Sequence, residues 1–322
     1  MKNSFRNVIV AALLALVAFP LVAQEWPTKP ITIMVPFAIG GTADIVARLI
    51  GPGLNRELGQ PVVVDNKGGA GGTIATAMVA RAPGDGYTIL IHHMGITFNA
   101  WLYDRLPYDT LRDIAPVAYV GATPNVLVVS NKLGVRNVEE FLALARQKPN
   151  TINYGSGGVG SAGHLPMELL QSTLNVRLVH VPYKGSGPAI TDLIAGQIDA
   201  MLLTIPAVIS HIQIGRVRAI ATSGTQRSAA LPSLPTLAEA GVKDFEYAPW
   251  YGFFAPSKTP PTVMNRLHAA VNKVLSEPEV VTKLRQQGLE VRPIKREQFV
   301  EIVRDDVSRW GRIIKTLGIK GE

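Results

Sequence analysis

The 322-residue chain contains no cysteine. That single absence removes disulfides, thiolate zinc sites, iron–sulfur clusters and a cysteine nucleophile, so any chemistry must use oxygen, nitrogen or backbone groups. Charge is scarce as well: Asp, Glu, Lys and Arg make up 17% of the residues and aromatic side chains 7%, against 47% hydrophobic. With a mean hydropathy of +0.19, the chain lies far from the polar, highly charged regime of disorder. Its 30 glycines and 23 prolines are scattered rather than periodic, which excludes a collagen-like repeat. The apolar run Val8 to Phe19 has 12 residues, short of the roughly 20 that a membrane-spanning helix needs. Catalytic signatures are missing too. There is no G-x-x-x-x-G-K-[ST] and no H-E-x-x-H, and the nearest approach to G-x-S-x-G, at Ser161, has Val159 where the first glycine belongs.

What is present begins with an address. Lys2 and Arg6 form a basic head before the apolar run, and small Ala23 closes it, so residues 1–23 read as a secretory signal and the compartment as the periplasm. The alternative is an anchor that is retained. No cysteine follows the run, so a lipid anchor is unavailable. Losing Lys2 and Arg6 from the 32 basic residues leaves 30 against 24 acidic ones, and outside the cytoplasm nucleic acid is not the expected partner of that excess.

Length argues for two lobes, because single cores stop growing at about 250–300 residues. Short β-branched runs alternate with helical patterns in an α/β rhythm: Ile31–Val35 then Thr42–Leu58, Val62–Val64 then Thr73–Ala82, Thr88–Ile91 then a loop rich in Pro and Tyr. A second unit begins at Val126–Val129 and runs through the strand Ala219–Thr222, while the tail beyond Tyr251 is mainly helical. The extended apolar segments Asn125–Val129 and Trp250–Ala255 read as strands crossing between lobes. Two crossings make the first lobe discontinuous, 24–123 plus 250–322, with 124–249 as the second.

Four loops that follow a strand and open a helix are rich in glycine and small hydroxyl residues: 36–44, 65–73, 155–164 and 182–188. A helix N-terminus leaves about four N–H groups unpaired and carries roughly half a positive charge, and glycine lets a ligand approach the backbone. Loops of this kind gather at the carboxyl ends of parallel strands, so four of them, two per lobe, predict an anion pocket. Gly155, Gly157 and Gly160 match G-x-G-x-x-G, but Val176 to Val181 supplies no carboxylate where a dinucleotide's ribose would need one. His92 and His93 are adjacent at a strand end and should point to opposite faces, one toward the cleft and one into the core. His164 is placed to bond its own loop, and His180, His211 and His268 read as structural. With no assembled partner for any of them, the chain reads as a binder, not an enzyme, with no catalytic residue, metal or cofactor.

At these loops the sequence resembles the extracytoplasmic solute receptors of tripartite tricarboxylate transporters, the Bug family. The motifs are Trp26-Pro27-Thr28-Lys29-Pro30, Val35-Pro36-Phe37 with Gly40-Gly41 and Asp44, Asn66 with Gly69-Ala70-Gly71-Gly72, Gly84-Asp85-Gly86-Tyr87, Asn153-Tyr154-Gly155-Ser156, His180-Val181-Pro182-Tyr183-Lys184-Gly185 and Trp250-Tyr251-Gly252. The resemblance implies a type II periplasmic-binding-protein fold, two α/β lobes joined by two crossing strands that close on a small carboxylate. It implies as partners that ligand and the membrane subunits of a transporter, with the receptor itself a monomer. The ligand positions it implies are Phe37, Gly40, Gly41, Thr42, Asp44, Asn66, Ser156, Gly157, Gly160 and Ser161, with His92, His93, Tyr183 and Thr204 toward the variable end of the ligand. Departures from the family pattern fall here: the hydroxyl of Thr42 stands one position early, Leu203 precedes Thr204 where a polar residue is common, and His92-His93-Met94 replaces small hydroxylated residues. These changes favour a larger, partly apolar acid, either an aromatic or a medium-chain dicarboxylate. A secreted sensor feeding a kinase would use the same pocket.

Overall fold

The computed structural model describes residues 26–243 and 245–320, so the signal segment and its cut after Ala23 lie outside the described residues. The first β-branched runs form β1 (Ile31–Val35), β2 (Val62–Asn66) and β3 (Thr88–His93), followed in turn by α1 (Thr42–Leu58), α2 (Thr73–Arg81) and α3 (Ile96–Leu102). β4 (Ile114–Ala122) leads into β5 (Asn125–Ser130), α4 (Val138–Gln147), β6 (Asn153–Ser156), α5 (His164–Leu174), β7 (Val179–Pro182), α6 (Ser186–Ala195), β8 (Ala200–Thr204), α7 (Ile205–Gln213) and β9 (Val217–Thr222). The chain returns as β10 (Trp250–Pro256), α8 (Pro261–Leu275), α9 (Pro278–Gln286), the short β11 (Glu290–Val291) and α10 (Arg296–Leu317).

Two sheets result, in the orders β11-β4-β10-β3-β1-β2 and β7-β6-β8-β5-β9. Each repeats one plan. Three mutually parallel strands stand beside an antiparallel one, β10 in the first sheet and β5 in the second, and that antiparallel strand is the one the chain enters on arriving from the other sheet. The two crossings run side by side, tied by Thr123 N–H to Pro249 O at 3.2 Å. The antiparallel strand also ends the parallel series at β3 and β8, and it is at such switch points, beyond the carboxyl ends of the strands, that a crevice opens.

Helix α1 shows why the layers hold. Val46, Ala47, Ile50, Leu54 and Leu58 recur at helical spacing and are buried, each fully buried large aliphatic contributing about 1.5–3 kcal/mol. Gly53 lets α8 come close, since a Cβ there would stand 2.5 Å from Val274 Cγ1. One apolar cluster packs α1 on the first sheet and another packs α6 and α7 on the second. A third runs continuously from Met34 and Leu90 in the first sheet to Leu127 and Tyr154 in the second.

Two elements differ from the sequence reading. The segment after β3, read as a loop, contains α3, which is held by packing against α10 and by the Trp101 Nε1–H bond to Val307 O at 2.7 Å. β4 has no counterpart in that reading; its Pro116 is accommodated beside a register shift between Phe253 and Phe254 of β10.

Candidate functional site

The parallel strands deliver their last residues to the seam between the sheets. His93 ends β3, Ser156 ends β6 and Thr204 ends β8, while Asn66 ends β2. Between them lies a cavity of about 20 Å³, room for one water-sized molecule. Of the sequence-predicted residues, Phe37, Gly41, Thr42 and His93 line it from the first lobe, and Ser156, Gly157, Ser161 and Thr204 from the second. The structure adds Ser186, Met201, Leu203 and Tyr251. Among the described residues no Asp, Glu, Lys or Arg lines the cavity. Its polarity comes from hydroxyls and from the starts of α1 and α6, whose N-cap residues Gly41 and Gly185 make no side-chain cap bond. Such helix starts present free N–H groups that favour an anion.

Other predicted residues stand behind this wall. Asp44 is buried, accepts from Gly40 N–H at 3.1 Å and from Arg48 Nε at 2.9 Å. Asn66 donates to Phe37 O and accepts from Arg48, both at 3.0 Å. Together Asp44, Arg48 and Asn66 brace the 37–41 loop without reaching the cavity. Gly160 N–H bonds His164 Nδ1 at 3.3 Å. Tyr183 donates its hydroxyl to Asp192 at 2.7 Å and, with exposed Lys184, lines a separate groove on the outside of the seam; burial and the Asp192 carboxylate push its pKa up to about 12.

The histidine pair departs from simple strand alternation, because the two ring centroids are 4.8 Å apart and both rings meet Phe37, at 5.5 and 5.0 Å. His92 is sealed in the protein, where burial lowers its pKa to about 4, while His93 lines the cavity. His93 stacks on Phe37 with centroids 5.0 Å apart and meets Tyr251, its partner across the ladder, edge-on at 5.9 Å. In the second lobe Ser156 Oγ and His180 Nε2 are 2.7 Å apart. Burial depresses His180 to about 4, which makes it a weak base, and among the described residues no carboxylate bonds its ring. The contact with His180 orients Ser156 at the cavity wall.

Closure is direct. Thr42 Oγ1 and Thr204 Oγ1, from opposite lobes, are 2.7 Å apart, and the Tyr251 hydroxyl lies 3.3 Å from Thr204. Burial raises the pKa of Tyr251 to about 12, so it remains a hydroxyl donor. Ala38 N–H donates to Lys184 O at 3.0 Å. Glycine permits the rest: a Cβ on Gly187 would stand 2.2 Å from Ile39 O, and one on Gly71 2.0 Å from Val159 O. Several glycines thus serve backbone-to-backbone contact between the lobes as much as access for a ligand. Ser186 was visible in the sequence as part of the fourth glycine loop, but the roles of Tyr251 and His180 depend on long-range pairing that no local spacing shows.

Comparison with known proteins agrees with this geometry. The model of the tripartite tricarboxylate transporter family receptor matches residues 46–319. The solved periplasmic binding protein BugD is 34% identical with a TM-score of 0.89, covering 92% of this chain and 100% of that one. A Rhodopseudomonas palustris protein solved with adipate is 37% identical, TM-score 0.89, over 92% and 99% of the two chains. MatC from Rhodopseudomonas palustris, solved with bound malate, is 33% identical, TM-score 0.86, over 90% and 100%.

Proposed function

The chain belongs to the tripartite tricarboxylate transporter receptor family, the Bug proteins, and on that premise we propose that it captures a small dicarboxylate and delivers it to a transporter. The observation that carries this reading is the cavity wall: hydroxyls and helix starts from both lobes, with no Asp, Glu, Lys or Arg among the described residues that line it. Such a wall offers a carboxylate many neutral donors and offers an amine no counter-charge. Two family members of this fold hold adipate and malate, which supports the acid class. Met201, Leu203 and Phe37 supply apolar surface and favour an aromatic or medium-chain dicarboxylate over a short hydroxy acid or an amino acid.

In this reading the protein is exported through its signal segment, acts in the periplasm as a monomer and carries out no reaction. The lobes 24–123 plus 250–322 and 124–249 move about the paired crossings. The Thr42–Thr204 and Ala38–Lys184 contacts shut the seam over the cavity, so loading requires the lobes to part and then to close on the guest, a hinge transition driven by contacts made only when shut. The test is to denature freshly purified protein, identify the acid released, and titrate refolded protein calorimetrically with adipate, malate, an aromatic dicarboxylate, amino acids and sugars. Binding of a dicarboxylate is expected. Binding of amino acids or sugars alone would overturn the proposal.

A further inference from the structure

His92 and His93 are successive residues on one strand, yet their rings hold opposite tautomers. His92 Nδ1 lies 2.8 Å from the His93 carbonyl oxygen, which only accepts, so Nδ1 carries the proton. Gly95 N–H, which only donates, points at His93 Nδ1 at 2.7 Å. That nitrogen must be bare, and the His93 proton sits on Nε2. Among the described residues no protein group bonds His93 Nε2, and unlike His92 Nε2 it is not sealed away from the cavity that the ring lines. The stack on Phe37 and the edge contact with Tyr251 fix the ring plane.

We propose that His93 is a fixed, uncharged Nε2–H donor that selects acids carrying a second hydrogen-bond acceptor over acids that end in an apolar tail. This rests on the carboxylate-receptor reading and names a specificity determinant within the same site. Among the described residues, the titratable groups that face the ring are His92 on its own strand and Tyr251 on β10, with no Asp, Glu, Lys or Arg on the cavity wall. Burial, and then the charge His92 would add, keep His93 well below its usual range. Its donor is therefore present throughout pH 6–8, and selection does not vary there.

The experiment compares adipate with hexanoate, which share a six-carbon chain and differ at one end. Calorimetry is run on the wild type, His93→Phe and His93→Gln. His93→Phe keeps the stacked ring but removes both the donor and the acceptor of Gly95 N–H, a loss that falls on both acids alike; His93→Gln restores an N–H. Adipate affinity is expected to fall about 10- to 100-fold relative to hexanoate in His93→Phe, as for loss of a hydrogen bond to a charged group, with adipate binding largely recovered in His93→Gln. Equal losses for both acids, or no loss for adipate, would overturn the proposal. Nitrogen-15 spectra of the wild-type histidines give a readout that needs no variant: a bare Nδ1, and an Nε2 signal that moves on saturation with adipate, are expected, and a protonated Nδ1 on His93 would overturn it. Failure of the wild type to bind any dicarboxylate would instead remove the receptor reading, and this inference with it.

Discussion

Replacing Gly187 with alanine separates lobe stability from lobe closure. Gly187 is the second residue of α6 and does not occupy left-handed backbone, so its own lobe accepts a methyl group. Alanine adds up to about 1 kcal/mol of helix stability there. Across the seam the outcome reverses. The new Cβ would stand 2.2 Å from Ile39 O, where ordinary contact begins at 3.4 Å, so the lobes must hold apart by about 1 Å. That displacement breaks the Thr42–Thr204 bond at 2.7 Å and strains the Ala38–Lys184 bond at 3.0 Å. At about 0.5–1.5 kcal/mol each, their loss amounts to about 1–3 kcal/mol, or a 5- to 150-fold rise in the dissociation constant for adipate. Calorimetric titration and thermal melting, read together, check both halves: weaker binding in a protein that melts no lower than wild type. Wild-type affinity in Gly187→Ala would show that tight seam contact is not part of the bound state.

Thr204→Val keeps shape but removes the Thr204 hydroxyl from Thr42 and Tyr251, which keep only their contact with each other, and ligand affinity is expected to fall about 5- to 50-fold with little change in secondary structure by circular dichroism. Gly157→Asp adds a carboxylate to the cavity wall, where its Cβ meets Ser161 Cβ at 3.3 Å and Ser186 N at 3.4 Å; calorimetry is expected to show binding of dicarboxylates reduced more than 100-fold by bulk and repulsion. Stability should depend on pH through His92, His164 and His180, whose pKa values burial lowers to about 4, 3 and 4. The unfolded chain takes up those protons first, so stability is full above about pH 6.5 and is lost as pH falls toward 4, at up to about 1.4 kcal/mol per pH unit for each histidine. Melting temperatures measured from pH 8 to 4.5 should be level and then drop, and a level profile to pH 4.5 would refute the burial assignment.

Elements stabilised by their own periodicity were legible in the sequence. The helix Thr42–Leu58 and the strand Ile31–Val35 carry the same bounds in the structure. α3 was not legible, because Ile96-Thr97-Phe98 opens it with residues that favour strands and tertiary packing against α10 overrides them. β4 was hidden by Pro116 and by small residues that offer no alternation. At the site, the glycine loops announced themselves locally, but the meeting of Thr42 with Thr204 spans 162 positions, and no spacing rule reaches that far. The same limit separated Asp44 and Asn66, which brace a loop, from residues that line the cavity.

A wall that attracts anions through main-chain amides has an evolutionary consequence. A side chain can be exchanged by one codon, whereas an N–H at the start of α1 or α6 survives nearly every substitution except proline. Drift at His93, Met201 or Leu203 can therefore retune which acid fits without abolishing the capture of acids. A lineage of such receptors can diversify its diet one residue at a time and never pass through an ancestor that holds nothing.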